Sequence, residues 1–447
     1  MSRLSLAIAG LIALSASNAQ AAVDRAELER LAASNEAQLI AWRRDIHQNP
    51  ELGNRESRTA ALVAAHLRSL DLDSVRTGIA HTGVVGILKG GKPGPVLALR
   101  ADMDALPVTE QTTDLPFASK VTTQFRGQTV GVMHACGHDT HVANLLATAS
   151  VLAALRKDLP GTVVFIFQPA EEGAPDGEEG GAELMLAEGV FADPRPDAVM
   201  GLHVGSNLPA GVIGYREGPA MAAVDSFTIL VKGRQAHGSR PWQGVDPITA
   251  AAQIVNAMNT IISRQIDITD APAVISFGAI KGGIRENIIP DEVELIGTIR
   301  NFSATNRSRI FERIKLTAET TAQSQGATAT VRIDEGYPVT VNDPALTARM
   351  LPTLQRVAGE GKVVRTPLIT GAEDFSFFAE EVPGLYFFVG VTDPAIDLKS
   401  APTNHSPLFR VDESALPLAL RAMLHVAVDF LDPPAAAPGA CAPRPAQ

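Results

Sequence analysis

Alternating apolar strands and helices, interrupted by a β-α-β-β-α-β block, predict an α/β protein: a mostly parallel sheet flanked by helices, carrying an inserted ferredoxin-like α+β domain. Residues 95–101 (PVLALRA), 161–167 (GTVVFIF) and 198–204 (AVMGLHV) are continuous apolar runs. Strands buried on both faces of a parallel sheet lose the period-two alternation and read in this way. Each run leads into ionisable residues, and open α/β sheets bind ligands beyond the carboxyl ends of their strands. A chain of 447 residues also exceeds the size at which single cores stop growing, roughly 250–300 residues, so two domains are expected.

The block itself lies between about residues 218 and 335. Residues 226–232 (SFTILVK) read as its first strand. Ile248, Ala252, Val255, Met258 and Ile262 then recur at helical spacing after Pro247. Residues 273–280 and 292–299 read as two more strands, followed by a helix over about 306–324 and a last strand at 329–333. The expected organisation is therefore a leader at 1–21, a main domain at 22–217 and 336–432, an inserted domain at 218–335, and a tail at 433–447. A closing helix over 416–431 is stopped by Pro433 and Pro434.

The leader reads as an export signal: Arg3, an apolar run from Leu4 to Leu14, and Ala19-Gln20-Ala21 as a small-x-small cleavage site. The run is well short of the ~20 residues needed to span a bilayer, so cleavage after Ala21 and a periplasmic or secreted product are expected. The two cysteines cannot form a disulfide framework. Cys441 lies in a Pro/Ala-rich tail read as disordered, and a Cys136–Cys441 bridge is the alternative to a free thiolate at 136. A formal charge of −11 leaves no basic stripe for phosphate backbones, which argues against a nucleic-acid partner.

Chemistry concentrates in four short segments: MHACGHD, QPAEEG, MGLHV and TNHSP. They carry Cys136, His138, Glu171, Glu172, His203 and His405. Imidazole, carboxylate and thiolate together suit a borderline-soft divalent ion. Cys136 and His138 are read as occupying the loop before a helix, with Gly137 permitting a tight backbone. His134 and His141 are read as supporting or helix-terminal groups. Glu171 and Glu172 follow a buried strand, where adjacent carboxylates repel unless a cation or shared proton relieves them; a solvated acidic loop is the alternative. One of the pair can hold a metal while the other accepts a proton. These residues together point to a dinuclear metallohydrolase. A P-loop-like stretch at Gly86 to Lys92 fails because Pro93 replaces the hydroxyl residue, and neither GxSxG nor HExxH occurs.

The segments RADMDALP, MHACGHDTH, QPAEEG, GLHV, GRQAHGSRPWQGVDPI, ENIIPDEVELIGTIR, GAEDFSFF and NHSP resemble, in this order, the aminoacylase/carboxypeptidase family of dinuclear metallopeptidases. Within it the chain is similar to the hippurate hydrolases and indole-acetyl-amino-acid amidohydrolases. The resemblance implies two divalent metal ions, zinc or manganese, on Cys136, His138, Glu172, His203 and His405, with Cys136 bridging and Glu171 as general base and acid. Asp104 is implied as a carboxylate orienting a ligand, and Asp102, where relatives commonly carry histidine, as an outer group or weak ligand. His237 is implied to stabilise the developing oxyanion from a partner subunit's lid in a homodimer, while Asn287 and Arg300 bind the substrate's α-carboxylate. Ala372 departs from a common Ser.

The reaction implied is hydrolysis of the amide in an N-acyl amino acid, hippurate-like first, by metal-activated water. The alternatives are a dipeptidase or carboxypeptidase on the same scaffold, or an exported two-domain binding protein that closes on a ligand without turning it over.

Overall fold

The structure, a computed structural model, describes residues 23–433. The leader, Cys441 and all of the tail but Pro433 lie outside these residues. From the N-terminus, helices α1 (Arg25–Gln48) and α2 (Ser57–Ser69) precede strands β1 (Ser74–Ile79), β2 (Gly83–Lys89) and β3 (Lys92–Asp102). Next come α3 (His138–Ala154), β4 (Pro160–Gln168), β5 (Ala198–Pro209) and β6 (Ile213–Tyr215). After the inserted block the chain continues with α6 (Pro344–Ala358), β11 (Val363–Arg365), β12 (Gly384–Thr392) and α7 (Leu416–Leu431), where the missing numbers belong to the insert.

These strands form one eight-stranded sheet in the order β1-β2-β4-β3-β5-β12-β6-β11. Its centre, β4-β3-β5-β12, is parallel, whereas β2 and β6 join antiparallel. The sheet is thus mostly parallel with mixed flanks. Its apolar runs are buried on both faces. On one side α1, α3 and α7 share a core with Leu97, Leu99, Phe165 and Phe387; on the other, Val164, Ile166, Tyr386, Phe375 and Phe378 form a second core. The segment Glu413–Leu431 is long and apolar enough to cross a membrane, but 78% of it is buried inside the fold, which makes α7 a core helix.

The insert comprises β7 (Ala223–Lys232), α4 (Pro247–Gln265), β8 (Ala273–Gly282), β9 (Glu292–Asn301), α5 (Ala304–Ser324) and β10 (Thr328–Glu335). Its sheet runs β8-β9-β7-β10, antiparallel throughout, which is the ferredoxin-like order. Asp246 caps α4 by accepting from the Ile248 and Thr249 amides, with Pro247 at the first helical position. Ile254, Met258 and Ile261 of α4 and Ile310 and Ile314 of α5 pack on Phe227, Ile229 and Leu295, covering one face of that sheet. Gly218–Met221 and Thr340–Asn342, on the two connections to the main sheet, pair antiparallel with each other.

Candidate active site

The donor segments converge at the carboxyl side of the parallel strands. Gly137 caps α3 with φ 94°, and a Cβ there would lie 2.3 Å from Val204 Cγ2, so glycine is required. His138 is the first residue of α3 and not part of the preceding loop, because the glycine turn lets the helix start directly after it. His203 lies within β5, which continues to Pro209 and does not end near Val204, since β12 pairs alongside it to Thr392. Glu171 and Glu172 follow β4 through Ala170, held at φ 52°. His405, at φ 72°, donates its amide to the Ala135 carbonyl, tying the last donor segment to the first.

Cys136 Sγ lies 3.4 Å from His203 Nε2 and 3.3 Å from His405 Nε2, while His405 Nε2 is 3.0 Å from Glu172 Oε1. Candidate ligand atoms cluster as Cys136, His138 and His203, as Cys136, Glu172 and His405, and as His138, Glu171 and Glu172, each set within 4.8 Å. Two of these sets share one thiol, so a pair of divalent cations would find Cys136 as the donor common to both. The fit is supported by orientation. His203 Nδ1 donates to the Val204 carbonyl at 2.8 Å, which leaves the Nε2 lone pair aimed at the cluster. His138 Nε2 is buried with no hydrogen-bond partner, an orphan that a cation would satisfy.

Charge points the same way. Burial pushes Glu171 well above the usual carboxylate range, reinforced by Glu373 and Glu172, and burial followed by Glu172 and Glu171 does the same to the Cys136 thiol. Burial disfavours the His138 imidazolium, yet Asp102 and Asp104 outweigh it and hold the group at about 10. Burial, then His141, drives His203 far down. Without cations the cluster therefore retains protons that divalent ions displace.

Around this centre, Asp104 faces His138 Nδ1 at 3.3 Å and accepts from the Glu172 amide at 2.9 Å. Asp102 instead faces His141 Nδ1 at 2.5 Å and pairs with buried Arg100; His141 Nε2 accepts from the Val204 amide. Both His141 nitrogens are engaged, so this histidine has no lone pair left for a metal. His134 is buried, and burial lowers it to about 3.

Five contributors escaped sequence reasoning: Arg100, Glu373, Asp374, Asn404 and Tyr337. Arg100 gathers Asp102, Glu373 and Asp374 in a buried network beneath Glu171, the last two at 2.8 Å. Asn404 donates to the Cys136 and Val204 carbonyls and accepts from Ser206, joining three donor segments. Tyr337, on the strand-to-sheet connection, donates its hydroxyl to the Glu171 carbonyl at 2.7 Å. The quoted GAEDFSFF and NHSP segments were the available signals for Glu373, Asp374 and Asn404; Tyr337 had none.

A cavity of about 520 Å³ opens over the cluster, lined by Glu171, Glu172, His203, His405, Tyr337 and Arg300. Arg300, from β9, is the sequence-selected lid residue that reaches it. His237 and Asn287 do not line it. They adjoin each other at a short ribbon pairing Ala236–His237 with Ile288–Ile289, where His237 is exposed and bonds to Ser239.

Such a fold and donor set define a metal-dependent amidohydrolase. The chain belongs to the peptidase family M20/M25/M40, whose model matches residues 98–429. It is 43% identical to thermostable carboxypeptidase 2 of Saccharolobus solfataricus over 88% of this chain and 95% of that protein. It is 34% identical to IAA-amino acid hydrolase ILR1-like 2 of Arabidopsis thaliana, over 88% of this chain and 85% of that one. Its fold matches the crystal structure of Bacillus subtilis YXEP, a dinuclear metal-binding peptidase of the M20 family, with TM-score 0.73, 35% identity and coverage of 89% and 99%.

Proposed function

We propose that this protein hydrolyses the amide of N-acyl amino acids bearing a free carboxylate, hippurate-like aromatic conjugates first, and that Cys136, His138, Glu172, His203 and His405 hold two divalent ions, zinc or manganese. The observation that carries this is the convergence of those five donors with Glu171 beside them in neither of the two sets that share Cys136. Bound cations supply Lewis acidity that polarises the scissile carbonyl and acidifies water. Glu171 accepts the water proton and passes it to the leaving amine. Its burial, which favours the protonated carboxyl, suits that second step. Tyr337 fixes the Glu171 backbone. Asp104 orients His138, and Asp102 acts one layer further out through His141. Arg300 receives the α-carboxylate as a guanidinium fork.

His237 and Asn287 complete the oxyanion and carboxylate contacts from a second copy of the chain, paired lid to lid. Their separation from the cavity within one chain supports that arrangement. The chain works outside the cytoplasm after loss of residues 1–21, with no membrane attachment and no nucleic-acid partner. Carboxypeptidase-named relatives support a peptide substrate as the second reading.

The test is turnover of N-benzoylglycine by metal-loaded protein and its Glu171→Gln variant. The variant should be slower by about 10²–10⁴-fold, the usual contribution of a positioned acid-base group. Equal rates reject Glu171 as the base, and absence of turnover by the wild type rejects the substrate class.

A further inference from the structure

Glu171 and Glu172 are adjacent, so a single peptide group joins the proposed base to its neighbouring donor. In a planar trans peptide the carbonyl and the amide point in opposite directions. Both ends of this one are held. The Tyr337 hydroxyl donates to the Glu171 carbonyl at 2.7 Å, and Asp104 accepts from the Glu172 amide at 2.9 Å. One residue earlier, Ala170 stands at φ 52° with its amide donating to Glu56 at 2.9 Å. The plane between the two carboxyl side chains is therefore set by residues far away in sequence, and that plane governs the directions in which both side chains leave the backbone.

The three holders come from different parts of the fold. Glu56 precedes α2 and Asp104 follows β3, both in the main domain. Tyr337 follows β10, and its backbone is bound to the insert. Its carbonyl accepts from the Val224 amide of β7 at 3.0 Å. Gly336, just before it, donates its amide to Asp225 of β7 at 3.2 Å, and its carbonyl accepts from Arg307 of α5 at 3.1 Å. Val224 stands opposite Arg300 in the pairing of β7 with β9, and both line the cavity over the donor cluster. Arg300, Val224, Tyr337 and Glu171 thus form one line of contacts from the insert to the base. The Tyr337 ring packs edge-on against Phe377, with centroids 6.0 Å apart, so removing the hydroxyl alone keeps the ring in place.

We propose that Tyr337 is a positioning residue that couples the insert to the base: when Arg300 takes up a substrate carboxylate, the insert's placement is passed through Tyr337 to the Glu171–Glu172 peptide and sets the aim of Glu171. The inference rests on the amidohydrolase reading and deepens it. Tyr337 acts through the Glu171 backbone and not on the reacting atoms. Asp104 grips the other end of the same peptide from the main domain, so the base is aimed by both domains at once.

The test uses the metal-loaded, full-length protein and its Tyr337→Phe variant. Amide hydrogen exchange over residues 170–173 is read apart from turnover, and loss of one hydrogen bond should raise it about three- to tenfold. With N-benzoylglycine, kcat should fall about 10–100-fold, the scale of a small misplacement of a reacting group, while KM stays within about twofold and metal content is unchanged. Arg300→Ala supplies the second arm. Adding Tyr337→Phe to that chain should cost a further factor of less than about three in kcat, because groups that act as a unit lose their effect together. Unchanged exchange or unchanged kcat in Tyr337→Phe overturns the positioning role, as does loss of metal, which would make the hydroxyl a support for Glu172 instead. Losses that multiply in the double variant overturn the coupling to the insert. Failure of the wild type to turn over N-benzoylglycine would reject the proposed reaction, while exchange still decides whether Tyr337 holds the peptide.

Discussion

The main domain and the inserted domain bring functional side chains into place by opposite means. In the main domain the donors gather on the carboxyl side of the parallel sheet, and outer groups hold them: Asp104 behind His138, the Val204 carbonyl behind His203, and Asn404 across Cys136 and Val204. In the lid, Arg300 and Val224 line the cavity, while His237 is exposed and bonded to its own turn. The difference teaches that the donor cluster is pre-organised within one chain, whereas the roles proposed for His237 and Asn287 require a second chain to bring them to the cavity.

The largest effect that sharpens this contrast is removal of the cations. Dialysis against a strong chelator should reduce amidase activity by about 10³-fold or more, since a Lewis acid contributes several kcal/mol to the barrier. Zinc or manganese added back should restore it, and elemental analysis should then find about two ions per chain. Cys136→Ser should retain the fold but fall well short of that stoichiometry. Full metal content in the serine variant breaks the assignment of Cys136 as the shared donor.

Next in size is His237→Ala, expected to lower kcat by about 10²–10³-fold, as for other oxyanion donors, without altering metal content. Mixing it with the inactive Glu171→Gln chain should recover activity if the two groups act across a lid-to-lid dimer. A mixture as inactive as its parts places His237 in its own chain's site or outside catalysis.

A smaller effect should come from Asp104→Ala. Outer groups behind metal-binding histidines typically contribute 10–100-fold, so roughly that loss in metal affinity is expected, read by competition with a chromogenic chelator. An Asp102→Ala change should act less directly on metal, because Asp102 faces His141 first.

How much of this could be read from the chain follows the same division. The three buried runs and the β-α-β-β-α-β block were legible because burial on two faces, or on one, leaves a periodic mark. The boundaries were less so: β5 runs past Val204 and α3 begins at His138, since pairing with β12 and the Gly137 turn decide those ends. The donor segments stood out because few residue types ligate metals. Asn404, Tyr337 and the Arg100 network did not, as each acts through contacts between segments far apart in sequence.

The smallest effect concerns stability and leaves turnover aside. Glu56 is buried behind the base-bearing loop, accepting the Ala170 amide at 2.9 Å and meeting Thr82 Oγ1 at 2.5 Å. Burial, then the nearby Asp104, raises its carboxyl to about 8. A folded-state value above the unfolded one means that the protonated form is favoured by folding. This contribution is therefore complete below the unfolded value near 4.5 and is lost as pH rises towards about 8, with a slope of at most about 1.4 kcal/mol per pH unit from this group. Glu56→Gln keeps an acceptor for the Ala170 amide and places an amide NH2 towards Thr82, so it should flatten the fall in melting temperature between pH 5 and pH 8. A variant whose melting temperature falls as steeply as that of the wild type would mean that the loop bearing Glu171 is held by groups other than this carboxyl.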